Sequence, residues 1–330
     1  MTTVNQAQRR FAVVPALARR PEPRRVGIGN APAHHGELLQ GMFDCAGGRP
    51  QRALVTLTHP QYGTRACFRP CDTSGVTVTD PKLIKARRAA ELTLRELAGE
   101  PLAPAGGVVE IVSNIPHGVG MGSSTSDVTA TIRAVADYHD VVLPQRTIAR
   151  LAVLAEKAAD SVMFDDAVVL FGHREGVVLE TLGAALPPLV VVGCDTDPRS
   201  GGVDTLQQRV AEYHDREVAA FGVLRAALRR AVVSGDAALL GRVSTASARI
   251  NQRFLPKPAL DDLVDLCHRH GGCGVQVAHS GTVAGLMFDA TRPGASEDAE
   301  RCVSAVEDMG LPVTTVWRTA PAPVREEVRC

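Results

Sequence analysis

The run Pro116-His-Gly-Val-Gly-Met-Gly-Ser-Ser-Thr-Ser-Asp127 has the composition of an anion cradle. Gly118, Gly120 and Gly122 alternate with other residues and lead into Ser123, Ser124 and Thr125. Glycines let a backbone wrap a polyphosphate without Cβ clashes. At a helix start the N–H groups have no intrahelical partner, and the helix dipole favours negative charge. The candidate nucleotide-binding residues are therefore Pro116, Gly118, Gly120, Met121, Gly122, Ser123, Ser124 and Thr125. The Ser124 hydroxyl is also a candidate ligand for a magnesium ion carried by the phosphates. The same hydroxyls could equally cap the helix. The run is not a Walker P-loop, which would end in Gly-Lys-Ser/Thr. Nor is it the dinucleotide fingerprint, which needs an acid about 20 residues further on in a βαβ unit.

Such a cradle needs a strand before it and a helix after it. Residues 108–112 read as the strand, and Val128, Ile132 and Val135 recur at the spacing of an amphipathic helix. Earlier, 53–58 and 64–68 read as short strands and 82–98 as a charged helix. Later, 146–159 reads as a helix, 166–171 and 176–180 as a strand pair, and 189–192 as a buried strand. Helices near 203–233, 236–250 and 259–270 follow, then a glycine-rich turn and a strand at 282–288. Pro187-Pro188 marks a domain boundary. The pattern predicts an α+β chain: a basic disordered tail at 1–25, domains at 26–186 and 187–320, and a short tail at 321–330. Arg9-Arg10-Phe11 faintly resembles a twin-arginine signal, but Pro15 interrupts the apolar stretch behind it and no cleavage site follows.

Composition narrows the partners. The formal net charge is zero, which argues against a general nucleic-acid binder. No apolar run reaches the roughly 18–20 residues that span a bilayer. Eight cysteines are present without a Cys-x-x-Cys pair, and most read as reduced core thiols of a cytoplasmic protein. The cluster Cys267-His268-Arg-His270-Gly-Gly-Cys273 fits no standard zinc spacing. A homodimer is left open.

Three ordered motifs resemble the GHMP kinases, which phosphorylate small alcohols. The segment Ser113–Asp127 resembles that superfamily's second motif, in the Gly-Met-x-Ser-Ser-Thr-x-Asp form of the L-threonine kinases that serve cobalamin synthesis. Ala31-Pro-Ala-His-His-Gly-Glu-Leu-Leu-Gln-Gly41 resembles the first motif, and Gly274-Val-Gln-Val-Ala-His-Ser-Gly-Thr-Val-Ala-Gly285 the third. Asn251-Gln252 and Leu255-Pro-Lys-Pro258 are similar to segments of the same branch. The resemblance spans about residues 26–320. It implies the two-domain GHMP fold, with a ribosomal-S5-like first domain, a ferredoxin-like second domain and the site between them. ATP and Mg²⁺ are the implied cofactors, and a hydroxy-amino acid the implied small-molecule partner.

The resemblance also implies roles. Asp160 matches the family's catalytic Asp, set to orient or deprotonate the acceptor hydroxyl; a surface Asp at a helix end is the plainer reading. The family's glutamate falls on Lys157, with Glu156 one residue out of register as the candidate metal ligand. Val119 replaces a lysine common in the branch, and His35, preceded by His34, replaces a cysteine. Glu37 is expected to anchor a substrate ammonium or to cap a local turn. His35, Asp195, His279 and Ser280 complete the candidate substrate contacts. Leading expectation: an ATP- and Mg²⁺-dependent kinase acting on L-threonine or a close relative. The alternatives are another alcohol, such as homoserine or serine, or a degenerate ATP-binding regulator.

Overall fold

One long sheet passes through both halves of the chain. In the computed structural model, residues 26–45, 48–71, 75–98, 106–116, 118–199, 211–254, 256–278 and 281–319 are described. The expected tails at 1–25 and 321–330, together with His279 and Ser280, lie outside them. Strand β1 (Gly27–Phe43) pairs antiparallel with β2 (Gln51–Cys71). Strand β3 (Gly75–Val78) pairs in parallel with β4 (Gly106–Ser113), which returns antiparallel to β2. A hairpin of β5 (Val168–Gly172) and β6 (Val177–Gly183) touches β2 through Leu54 and Phe171.

The second half contributes β7 (Leu189–Asp195), β8 (Gly274–Val277), β9 (Val283–Asp289) and β10 (Val313–Arg318), in the order β10-β7-β9-β8. Among the described residues the halves join in the sheet at one register pair, Glu37 with Val277. The candidate acidic anchor therefore sits on the seam.

Helices cover the sheet in sequence order. Helices α1 (Ile84–Glu96), α2 (Ser123–Tyr138) and α3 (Gln145–Glu156) pack together on the first half. Val128, Ile132 and Val135 of α2 are buried, as their spacing predicts. Helices α4 (Asp215–Ser234) and α5 (Ala237–Asn251) lie against β1; α6 (Leu260–Arg269) and α7 (Ala295–Asp308) lie over β8, β9 and β7. A core under α4 and α5 joins Leu38, Leu39 and Phe43 of β1 to Leu189 and Val191 of β7, Met287 and Trp317. Cys45, Cys67, Cys71, Cys194, Cys267, Cys273 and Cys302 are free thiols.

The elements depart from the sequence reading in several places: β3, α7 and β10 were not expected, the helix expected near 203–233 is observed over Asp215–Ser234, and three further departures bear on the site. The strands at 53–58 and 64–68 are one continuous β2. The first motif is itself strand, because register shifts at Pro32/Ala33, His34/Glu37 and Glu37/Leu39 absorb Pro32 and Gly36. The glycine-rich turn before residue 282 contains β8, whose four residues are all buried.

Candidate active site

The three glycine-bearing motifs meet at the N-terminus of α2. Gly118, Gly120 and Gly122 have φ of 82, 84 and 70°, a region that other residues enter only with strain. Gly122 is the N-cap of α2, and no side chain caps the helix. The capping role open to the hydroxyls in the sequence is therefore not the one they play. Ser124 Oγ instead donates to Glu156 Oε2 at 2.6 Å, and Thr125 Oγ1 donates to Asp160 Oδ2 at 3.2 Å. No side chain caps the first-turn amides, which leaves them available to an anion. Met121 contributes backbone only: its side chain is buried with Ala33, Ile115, Ala278 and Val283, and its carbonyl accepts the His34 amide at 3.2 Å. Val119 is partly buried and packs against the same cluster. Pro116 is exposed at the mouth of the cradle.

The third motif clamps this loop from the other half. The Thr282 amide donates to the Val119 carbonyl at 3.2 Å. A Cβ on Gly281 would overlap the Gly120 backbone, so only glycine fits.

Glu156 is the last residue of α3 and is buried, whereas Lys157 leaves the helix in the left-handed region at φ 73°. The shifted register therefore still delivers a carboxylate to the cradle. Burial raises Glu156 to about 7, against the lowering effect of Ser124, Lys85 and Thr125. Its Oε1 is buried and accepts no hydrogen bond among the described residues. A hydroxyl beside a carboxylate oxygen that lacks a donor is a hard-oxygen pair of the kind magnesium takes. Lys85 of α1 completes this corner, with Nζ 2.9 Å from Ser124 Oγ and 3.5 Å from Glu156 Oε2. Sequence reasoning missed Lys85, because its spacing is that of any surface lysine on a charged helix.

Asp160 lies in the loop after α3, one side of a second cluster. His34 Nε2 is 3.0 Å from Asp160 Oδ2, and His34 Nδ1 is 3.7 Å from Glu37 Oε1. One donor atom from each of His34, Glu37 and Asp160 lies within 4.8 Å of the others. Burial lowers the His34 pKa, but Asp160, then Glu37 and Glu156, outweigh it and lift the ring to about 9. The Gly36 amide donates to Nδ1 at 2.9 Å, which fixes the ring's first proton on Nε2, toward Asp160. A second proton on Nδ1 would displace Gly36 and face Glu37. A Cβ on Gly122 would overlap the His34 ring, so the cradle and this histidine are fitted to each other.

Two expected substrate contacts turn elsewhere. His35 points to the opposite side of β1 from His34, as alternation along a strand requires. It is fully buried, 4.6 Å from the Trp317 ring and 2.7 Å from Gln276 Nε2. Burial and the neighbouring His59 and His34 hold it down to about 3, so it is a neutral packing residue. Asp195 closes its own turn, its Oδ1 accepting the Asp197 amide at 3.0 Å. His279 and Ser280 fall between Ala278 and Gly281, outside the described residues.

The assembled corner therefore holds a glycine-built turn at a helix N-terminus, the Ser124–Glu156 hydroxyl–carboxylate pair, and the cluster of His34, Glu37 and Asp160. Comparison with known proteins identifies the family. Residues 83–173 match the model of the GHMP kinases N terminal domain and 224–308 that of the GHMP kinases C terminal domain. An L-threonine kinase of Citrobacter freundii is 30% identical over 280 residues, 81% of this chain and 88% of that protein. An L-threonine kinase of Salmonella typhimurium is 29% identical over 279 residues, covering 81% and 84%. A homoserine kinase structure from Cytophaga hutchinsonii superposes with a TM-score of 0.65 at 15% identity, over 92% of this chain and 97% of that one. A galactokinase structure from Lactococcus lactis gives 0.59 at 13%, over 91% and 94%. No described helix is long and apolar enough to cross a membrane. Motifs, fold and relatives agree, and the chain belongs to the GHMP kinases, with their two-domain fold.

Proposed function

We propose that this GHMP kinase transfers the γ-phosphoryl group of ATP to the side-chain hydroxyl of L-threonine or a closely related hydroxy-amino acid, giving the O-phospho product and ADP. The observation that carries this reading is the alignment of Asp160, His34 and Glu37 beside the α2 N-terminus. A small acceptor bearing a hydroxyl and an ammonium two carbons apart suits two carboxylates so closely spaced. Similarity to two L-threonine kinases points to the same acceptor.

The amides of Gly118–Thr125 and the ammonium of Lys85 would hold the triphosphate. Ser124 and Glu156 would hold Mg²⁺, which offsets charge on the phosphate oxygens during transfer. Asp160 accepts the hydroxyl proton as the oxygen attacks phosphorus and the bond to the ADP oxygen breaks. Thr125 Oγ1 and His34 Nε2 fix the Asp160 carboxylate in place. Glu37 takes the acceptor's ammonium. Phosphoryl transfer needs positioning and charge compensation more than covalent help, and these residues supply both.

Steady-state ADP release with MgATP over L-threonine, L-serine, L-homoserine, mevalonate and galactose tests the reading. The highest kcat/KM is expected for L-threonine. A best rate on a compound without an amino group would overturn it.

A further inference from the structure

Lys85 is the second residue of α1, whose first turn carries no acidic residue. A cation in a first turn opposes the helix dipole, so α1 gains nothing from a lysine there. Its partners lie on two other helices. Nζ donates to Ser124 Oγ at 2.9 Å and is 3.5 Å from Glu156 Oε2, and Ser124 Oγ itself donates to Glu156 Oε2 at 2.6 Å. The three head groups close a triangle between the start of α2 and the end of α3. The Glu156 side chain is 2% exposed, whereas that of Lys85 is 48% exposed. The carboxylate is fixed in the protein, and the ammonium reaches it from solvent on a flexible stem.

Ser124 and Glu156 are also the residues assigned above to Mg²⁺. Glu156 brings one negative charge to the corner, and Lys85 already offsets it. A divalent cation on the same pair would add two positive charges beside an ammonium bound to the same oxygens, and like charges so close repel strongly. The other two carboxylates of the site, Asp160 and Glu37, lie 3.0 and 3.7 Å from the nitrogens of His34. The negative charge that seats a divalent cation has to come from elsewhere, and a nucleoside triphosphate supplies it.

We propose that Lys85 is the resident counter-ion of the Ser124–Glu156 pair, barring the divalent cation until the triphosphate arrives and then leaving the carboxylate for the phosphate oxygens. This rests on the reading of Ser124 and Glu156 as the Mg²⁺ ligands. Glu156 then has a cation beside it at every stage, as a buried carboxylate requires. The ammonium passes from carboxylate to phosphate, a charge-assisted contact in both places. Lys85 thereby sets the order of assembly: the metal enters with the nucleotide and not ahead of it.

Electron paramagnetic resonance of free Mn²⁺, which takes the same oxygen ligands as Mg²⁺, measures metal binding independently of turnover. The full-length protein is compared with Lys85→Met, Lys85→Gln and Lys85→Arg at pH 8, above the titration of Glu156. Without nucleotide, Lys85→Met and Lys85→Gln should bind Mn²⁺ at least about 10-fold more tightly than the wild type, and Lys85→Arg, which keeps the charge, within about twofold of it. Adding Glu156→Gln to Lys85→Met should abolish the gain. The non-hydrolysable analogue AMP-PNP should bind about 10-fold more weakly to Lys85→Met, because a phosphate contact is lost. Equal Mn²⁺ affinity in the nucleotide-free wild type and Lys85→Met would overturn the role of Lys85. So would a gain that survives Glu156→Gln, or an undiminished affinity for AMP-PNP. In each case the metal reading stands if Glu156→Gln alone weakens Mn²⁺ in the AMP-PNP complex. Mn²⁺ binding in that complex untouched by Glu156→Gln would remove both.

Discussion

Asp160 and His34 are each defined by the other. The 3.0 Å contact between them is what overcomes the cost of burying the imidazole. With Asp160 in the proposed role of proton acceptor, Asp160→Asn should lower kcat by about 10²–10⁴-fold, while ATP, proposed to bind at the α2 N-terminus, should bind within about twofold of normal. The same substitution removes the largest influence opposing burial at His34 and leaves only Glu37 and Glu156, so its titration, followed by NMR of the ring, should fall well below about 9. A ring still titrating near 9 would remove the pair from the argument. The sign of the linkage follows: the raised His34 pKa contributes stability below its unfolded value of 6.5, lost as pH rises through about 9. Glu156 behaves differently, because burial raises it to about 7 and only the ionised form binds a cation. Half-saturating Mg²⁺ should therefore fall as pH rises through about 7, and Glu156→Gln should weaken Mg²⁺ and flatten that dependence. An unchanged profile in the variant would move the metal off Glu156.

At the scale of elements, the site depends on two pieces of backbone that nothing but glycine can build. Gly122 turns the chain into α2 against the His34 ring, and Gly281 brings the β8–β9 connection onto the cradle. Gly281→Ala forces the clamp away from Gly120. ATP affinity, read by calorimetry, should weaken by about 10-fold or more, with a melting temperature close to normal. Normal ATP binding would mean that the clamp does not shape the cradle. The glycine turn into α2 was legible from glycines at alternate positions between a strand and a periodic helix, a common arrangement whose ligand took two companion motifs to suggest. Helices α2, α3 and α5 were legible from their apolar period. Strand β1 was not, since Pro32 and Gly36 read as breakers until the register shifts are seen to accommodate them. The same shifts and the strand's alternation decide which of two adjacent histidines faces the chemistry. Sequence reasoning placed His35 among the substrate contacts, but the strand turns it onto Trp317 and turns His34 toward Asp160. Glu156 was legible only as a residue out of register, because the left-handed turn at Lys157 that directs it inward leaves no mark in composition. Lys85 was illegible, since its partners Ser124 and Glu156 are remote in sequence.

The whole molecule joins its halves weakly in the sheet and strongly in the core. Among the described residues one register pair, Glu37 with Val277, links the strands, whereas Phe221 of α4 packs in a cluster containing β1, β2, β7 and β9 residues. Its ring lies 5.8 Å from that of Phe43 and 5.2 Å from that of Tyr213, and it is fully buried. Because that cluster is shared, the halves should unfold together despite their separate layers. The single tryptophan is well placed to report this: Trp317 of β10 stacks 4.4 Å from His59 of β2, so its emission senses contact between the halves. Far-UV circular dichroism senses all the helices, including α1–α3 of the first half. In urea the two signals should trace one transition with coincident midpoints. Phe221→Ala should lower stability by about 3–5 kcal/mol, the usual cost of emptying a fully buried aromatic site, and should move both midpoints equally. A variant that moves only the Trp317 transition, leaving the helical signal where it was, would show that the halves fold as independent units.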